Sequence, residues 1–194
     1  MKKNKKVYIV DEKLHLIDEE KELVIKNDNY FRFGKIQNIN ELAPVIKKAM
    51  IEKEIRIKLI GEEIDVIINT TYSEVEKALF QSLLEMLEFT KCQFIYEESL
   101  IPADFKFIIK CDDTNTIITN RTNNFQTKIF HDIFSEKSKL SEIDILIDYI
   151  KSNLNKEPIY IYGANTRIAE IAKLLEKKSG SKVYYTPKFN IYAE

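Results

Sequence analysis

Two short acidic segments contain the residues best suited to chemistry in this sequence of 194 residues. Asp11 precedes Glu12 in the first segment, and Asp112 is followed by Asp113 in the second. Carboxylate oxygens are the ligands that Mg²⁺ prefers, so either segment could hold a metal ion. Aspartate-rich turns are also common for a local reason, because the side chain hydrogen-bonds its own backbone. We favour this structural interpretation for both segments and keep the metal site as the alternative.

The other reactive residue types form no catalytic pattern. His15 and His131 stand apart from any Cys/His cluster, which argues against a zinc site. Cys92 and Cys111 have neither the spacing of a metal site nor the number needed for a disulfide framework. Each adjoins a predicted strand, so we expect buried thiols. No nucleophile-elbow or catalytic-triad motif occurs in the sequence.

The charge and hydropathy of the chain narrow its expected partners and location. The net charge is −1, which gives no electrostatic reason to expect nucleic-acid binding. No apolar run approaches the roughly 20 residues of a membrane span, and no apolar region of a signal peptide follows the first lysines. We therefore expect a cytoplasmic protein, with the inner face of the membrane as an alternative. Any contact with anionic lipid would be weak and reversible and would come from Lys2, Lys3, Lys5 and Lys6.

The elements that position these residues occur twice in the same order. Residues 7–96 are predicted to form three short strands, a helix, a strand, a helix and a strand, and residues 105–185 repeat that order. Three strands joined by short turns form an antiparallel meander, whereas the later strands are predicted to pair in parallel. The sequence thus predicts an α/β protein with two domains, 1–104 and 105–194, that face each other across a cleft.

The helices of the first half have recognisable start signals. Asn40 is the predicted N-cap of the first helix, and Ser73 with Glu76 forms a capping box for the second. The second helix is so rich in apolar residues that we expect more than one neighbour to cover it. Val75, Leu79, Leu83 and Leu87 lie on one predicted face, which is broadened to most of the circumference by Ala78, Phe80, Leu84 and Met86.

A tandem pair of βββαβαβ units resembles the ribonuclease H-like topology as it occurs in the actin, Hsp70 and sugar-kinase superfamily. The segment Asp65–Leu79 resembles the strand, turn and helix of the bacterial actin MreB. The segment Phe94–Ala103 is similar to the MreB segment that ends in Glu-Glu-Pro and small residues. Tyr160–Asn165 and the helix after it resemble the adenosine-side segment. The resemblance implies an actin-like core of two lobes.

The spacing of the elements departs from MreB in one respect. MreB relatives are far longer, mainly because each half carries an inserted subdomain. Here the interval between the third strand and the first helix spans only about residues 26–39 in the first half. The comparable interval in the second half spans only about residues 130–139. We therefore expect a minimal actin-like core that lacks both outer subdomains.

The loops that hold phosphate in the family are a second departure. The resemblance implies two glycine-rich hairpins, because glycine lets the backbone approach a phosphate and point its N–H groups inward. The corresponding hairpins here, Val10–Leu14 and Lys110–Thr116, contain no glycine. The adenosine-side turn keeps one glycine, and its remnant of a cofactor site is Gly163, Ala164 and Asn165. We therefore expect no cofactor.

Three functional hypotheses follow from this resemblance. The first is a non-catalytic, MreB-like scaffold or regulator of a bacterial cytoskeletal, cell-shape or division assembly, which binds itself or a filament-forming actin homologue. The second is a reduced ATPase that binds Mg-ATP between the lobes. Its catalytic residues would be Asp11, Asp112 and Glu98, which matches the family glutamate near the attacking water. The third is an actin-like adaptor of a pilus or secretion machine.

Overall fold

The chain divides into two compact units, Met1–Tyr96 and Glu97–Glu194. The predicted boundary between 104 and 105 lies later in the chain, because the intervening segment packs with the second unit. Arg121 holds that segment through hydrogen bonds to the carbonyl oxygens of Ile101 and Pro102. The computed structural model describes residues 5–10, 12–19, 21–27, 29–32, 35–56, 62–112, 115–121, 126–131, 140–153, 156–163 and 165–187.

The first unit is built on a five-stranded sheet. Its meander consists of β1 (Lys5–Val10), β2 (Lys13–Asp18) and β3 (Lys21–Lys26). After these come the short hairpin strands β4 (Phe31–Arg32) and β5 (Lys35–Ile36), then α1 (Ile39–Glu52), β6 (Glu63–Ile68), α2 (Glu74–Met86) and β7 (Lys91–Tyr96). The strand order is β3-β2-β1-β6-β7, with β1, β6 and β7 parallel.

The second unit repeats this arrangement. Its meander consists of β8 (Phe107–Cys111), β9 (Asn115–Asn120) and β10 (Gln126–His131), and α3 (Leu140–Asn153), β11 (Ile159–Gly163), α4 (Ile168–Ser179) and β12 (Val183–Pro187) follow. The order β10-β9-β8-β11-β12 matches that of the first sheet position by position. The prediction of two tandem ribonuclease H-like units is confirmed. Neither interval between the third strand and the first helix has room for a subdomain.

Each unit has its own apolar core between its sheet and its helices, and α2 shows how the first core is arranged. Phe80, Leu83, Leu84 and Leu87 are buried at one face of this helix. Val75 is 70% exposed and Leu79 is 37% exposed, so the predicted apolar face that joined them to Leu83 and Leu87 is wrong. The helix packs with one face, and its other apolar residues lie at the surface.

The starts of the first two helices are set by side-chain caps. The capping box of Ser73 and Glu76 is confirmed, whereas the N-cap of α1 is Asn38 rather than Asn40. Burial acts to raise the pKa of Glu76, but hydrogen bonds from Lys35 and Ser73 outweigh it and lower that pKa below its ordinary value. Glu76 therefore stabilises the helix start as a carboxylate.

The N-terminal lysines are not all surface groups. Lys5 begins β1, is 6% exposed, and forms ion pairs with Asp18 at 3.2 Å and Glu62 at 2.5 Å. The predicted lipid contact through Lys5 is therefore wrong, because a buried, paired ammonium cannot reach a membrane surface. Lys6 lies within the same strand, and Lys2 and Lys3 lie outside the described residues. Among the described residues no helix is long and apolar enough to cross a membrane.

Candidate functional site

The chemistry-bearing side chains of the second unit gather at the carboxyl ends of its parallel strands. Lys110 lies at the end of β8 and Tyr162 at the end of β11. A 3-10 turn, Glu97–Leu100, brings Glu97 and Glu98 against them. Ligands of open α/β sheets usually bind beyond this end of the strands. This corner is therefore the candidate functional site of the second unit.

A buried ion pair forms the centre of the site. The Lys110 ammonium donates a hydrogen bond to one carboxylate oxygen of Glu97 at 2.9 Å and forms an ion pair with the other at 2.8 Å. The Tyr162 hydroxyl donates to the same carboxylate at 3.0 Å, and Asp112 lies 3.6 Å from the ammonium. Lys110 is 3% exposed and Glu97 is 1% exposed. The buried ammonium group of Lys110 is therefore neutralised by carboxylates of the same chain.

The ionisation states follow from this arrangement. Burial alone acts to lower the pKa of Lys110, but attraction to Glu97, Asp112 and Glu98 outweighs it and raises that pKa. Lys110 is thus an ammonium ion at any physiological pH. Burial, with the nearby charge of Asp112, raises the pKa of the Cys111 thiol. Because the thiolate is the reactive form, Cys111 is an unreactive buried thiol, as its place beside a strand predicted.

The structure brings together two of the three residues assigned to a reduced ATPase. Glu98 is 1% exposed and accepts a hydrogen bond from Thr119 at 3.4 Å, and both Glu98 and Asp112 act on the charge of Lys110. Asp11 lies outside the described residues, as does Asp113. Within the described part of the chain, no group of three His, Cys, Asp or Glu side chains could hold a metal ion.

Gly163 has a packing role in this corner. Its φ of +143° is one that other residues rarely adopt, and a Cβ atom there would lie 2.0 Å from the backbone oxygen of Cys111. The N–H of Asn165 donates to that same oxygen at 3.1 Å. The Asn165 side chain is buried and accepts from the N–H of Arg167. These two cofactor-remnant residues thus join the end of β11 to the end of β8, while Ala164 lies outside the described residues.

Both hairpins that correspond to phosphate loops are closed by tight turns. In the first, Val10 pairs with Lys13, and Glu12 takes a left-handed conformation with φ of +56°. In the second, the N–H of Asp112 donates to the oxygen of Asn115 at 2.9 Å. A glutamate in the left-handed region costs about 1 kcal/mol relative to glycine. The first turn is thus acidic at a position where glycine would fit better.

Sequence reasoning missed Glu97, Lys110 and Tyr162 as a group. One signal was present, since Lys110 interrupts the apolar residues of β8. A lysine in a buried strand requires a counter-ion, because burying an unpaired charge is very costly. The partner could not be identified from the sequence, since Glu97 and Tyr162 are both distant along the chain.

The comparisons with known proteins rest on structure alone. No protein-family model and no curated protein sequence matches the chain. MreB5 of Spiroplasma citri bound to ADP is similar with a TM-score of 0.65 at 7% identity, over 100% of this chain and 95% of that one. The ethanolamine utilization protein EutJ from Carboxydothermus hydrogenoformans has a TM-score of 0.63 at 11% identity, over 95% and 84% of the two chains. The PilM-PilN type IV pilus biogenesis complex has a TM-score of 0.59 at 9% identity, over 97% and 89%.

These similarities establish the fold. The chain has the fold of the actin-like ATPases, as the resemblance to MreB predicted. Identities this low carry no function with them, because one fold supports many functions.

Proposed function

We propose that this actin-like protein is a non-catalytic scaffold or regulator that acts by binding protein, in a cytoskeletal, cell-shape or division assembly of a bacterial cell. The observation that carries the proposal is the buried pair of Lys110 and Glu97. The Lys110 ammonium lies 2.8 Å from the Glu97 carboxylate and is shielded from solvent, so it is not available to a phosphate group. Releasing it would leave Glu97 buried without its counter-ion, at a cost of about 3–5 kcal/mol.

The residues of the two hairpins support the same proposal. Neither hairpin contains glycine, and the single glycine of the adenosine-side turn is needed for contact with Cys111. Carboxylates at Glu12 and Asp112 would repel a triphosphate unless a metal ion intervened. Because no glycine lets either hairpin backbone approach a phosphate, we expect Mg-ATP binding to be lost or very weak, and we assign no catalytic step to these residues.

The surface of α2 supports a protein-binding function. Val75, Leu79 and Met86 are exposed at spacings of four and seven residues, which places them along one side of the helix. Exposed apolar side chains that share a face are typical of surfaces that bind other proteins. The face is available for self-association or for a filament-forming homologue, as actin-type filaments use head-to-tail contacts that do not close.

The PilM-PilN complex gives the adaptor hypothesis a specific basis. That neighbour is a type IV pilus biogenesis complex of two proteins, and this chain shares the actin-like fold. An adaptor of a pilus or secretion machine would also act by protein binding without hydrolysis. Co-purification of a stoichiometric protein partner, with no polymer formed by the chain alone, would favour the adaptor over the scaffold.

Sedimentation and electron microscopy of the purified chain test the scaffold. We expect polymer or partner-dependent pelleting that is the same with and without Mg-ATP, and no heat of Mg-ATP binding at micromolar concentration by calorimetry. Val75→Asp should reduce the pelleting, whereas the matched change Ala78→Asp, nearer the polar side of α2, should reduce it less. A strict monomer with no partner would overturn the proposal. ATP hydrolysis that Asp112→Ala abolishes would establish the reduced ATPase instead.

A further inference from the structure

A clamped loop follows the candidate site along the chain. The Arg121 guanidinium donates to the carbonyl oxygens of Pro102 at 2.8 Å, Phe105 at 3.1 Å and Ile101 at 2.9 Å, and also to that of Glu98. An arginine has five N–H donors, so Nε–H is the donor outside these four bonds. One side chain thus fixes the backbone of the whole loop at four points.

The fixed loop keeps apolar groups at the surface. Ile101 is buried against Ile108 and Tyr162, whereas Leu100 is 40% exposed, and Pro102 and Ala103 are exposed. These residues belong to the lining of a surface depression of about 510 Å³. The full lining consists of Ser99, Leu100, Ile101, Pro102, Ala103 and Arg121. A loop already held in one conformation binds a partner at a lower cost in conformational entropy.

Arg121 gives this depression a charge. Among the described residues no carboxylate lies within ion-pair distance of its guanidinium, whose four bonds all go to neutral carbonyl groups. Burial lowers the pKa of Arg121, although Glu98 and Tyr162 act in the opposite direction. A partly desolvated cation beside an apolar wall is complemented by a carboxylate that is attached to an apolar group.

We propose that residues 99–103 and Arg121 form a docking site for a peptide segment of a partner protein, in which an aliphatic side chain lies next to a carboxylate. The aliphatic group packs against Leu100 and Ala103, and the carboxylate faces the Arg121 charge. The inference rests on the proposed protein-binding function and adds the chemistry of the partner to it.

Three small probes on the full ¹⁵N-labelled chain test the inference by nuclear magnetic resonance. N-acetyl-leucine carries the side chain and the carboxylate, N-acetyl-leucinamide lacks the carboxylate, and N-acetylglycine lacks the side chain. We expect N-acetyl-leucine to shift the amide signals of Leu100 and Ala103 and the Arg121 Nε–H signal. Its affinity should exceed that of either control by about tenfold, since N-acetyl-leucinamide loses the charge-assisted hydrogen bond and N-acetylglycine loses the burial of the aliphatic side chain. Equal affinities for all three probes would overturn the inference.

A pair of glutamate substitutions supplies the control. Ala103→Glu places a carboxylate beside Arg121 and should weaken N-acetyl-leucine binding by about tenfold or more. Ala78→Glu makes the same change at an exposed position of α2 and should leave binding unchanged. Unaltered binding of N-acetyl-leucine by the Ala103→Glu variant would overturn the proposed location of the site. Tighter binding of hexanoate than of N-acetyl-leucine would overturn the proposal that the occupant is a peptide. Neither result would change pelleting by the wild-type chain, so the two proposals fail separately.

Discussion

Replacing Gly163 with alanine should destabilise the second unit. The loss should be larger than for the same substitution at Gly180, the other glycine that the structure describes. The added Cβ would meet three backbone atoms of Cys111, at 2.0, 2.6 and 2.8 Å. Backbone atoms cannot rotate away as a side chain can. Because ordinary contact begins at 3.4 Å, the ends of β8 and β11 would have to separate by more than 1 Å.

The cost of that separation has three parts. Holding alanine at a φ of +143° costs about 1–3 kcal/mol. Overpacking in a fixed environment costs about 1–3 kcal/mol, and losing the hydrogen bond from Asn165 to Cys111 costs about 1 kcal/mol. A loss of about 3–7 kcal/mol is large beside the roughly 5–15 kcal/mol that stabilises a typical domain.

Gly180→Ala is the matched control for this prediction. Gly180 has a φ of +73° at the end of α4, and nothing lies within 4 Å of an added Cβ. Alanine there should lower the free energy of unfolding by only about 1 kcal/mol, the cost of a left-handed backbone conformation. Since two units need not unfold together, native-state amide hydrogen exchange of Ile161 and Tyr162 should be compared in both variants. If Gly163→Ala lost no more stability than Gly180→Ala, the assigned packing role would be refuted.

Three further predictions concern charge and burial. Lys110→Met should lower the free energy of unfolding by about 3–5 kcal/mol in urea denaturation, and adding Glu97→Gln should restore much of it; a double variant no better than the single one would contradict the ion-pair account. Leu83→Ala should lower the free energy of unfolding by about 2–5 kcal/mol, whereas Val75→Asp should change it by no more than about 0.5 kcal/mol. A larger effect of Val75→Asp would contradict the assigned faces of α2. Glu76→Gln should lower the melting temperature at pH 7, and the difference should shrink as pH falls. The folded pKa of Glu76 is lowered, so its stabilisation is complete above the unfolded value of about 4.3 and is lost as pH falls through the folded pKa; a difference that grows at low pH would contradict this sign.

The strand order could be predicted from the sequence because it follows from local signals. Short apolar runs, polar turns and capping residues determine each element, and short connections then leave few ways to pair the strands. The capping box at Ser73 was predicted for the same reason, since both of its residues lie within one turn of helix. Long-range contacts carry no such signal. Lys5 was predicted to be a surface lysine because its partners, Asp18 and Glu62, are brought to it only by the folded sheet.

The faces of α2 show a second limit. A helix with apolar residues around most of its circumference does not reveal which of them face the sheet. Its orientation is set by the fit of Phe80 and Leu84 into the core, and Val75 and Leu79 are then left at the surface. The sequence pattern alone could not separate a buried stripe from a binding stripe, because both consist of the same residue types.

Gly163 and Lys110 lie close to each other at the ends of β11 and β8, but they provide different kinds of evidence about function. Gly163 is required by its approach to Cys111, so a glycine at this position would be needed with or without a ligand. Lys110 is different, because a cation at the end of β8 can bind a phosphate only if it is not already paired with a carboxylate. In this chain Glu97 binds the ammonium with both oxygens and Tyr162 binds Glu97 in turn. The pairing of Lys110 therefore supports the proposed non-catalytic function more directly than Gly163 does, because it leaves the ammonium at the end of β8 bound to a carboxylate.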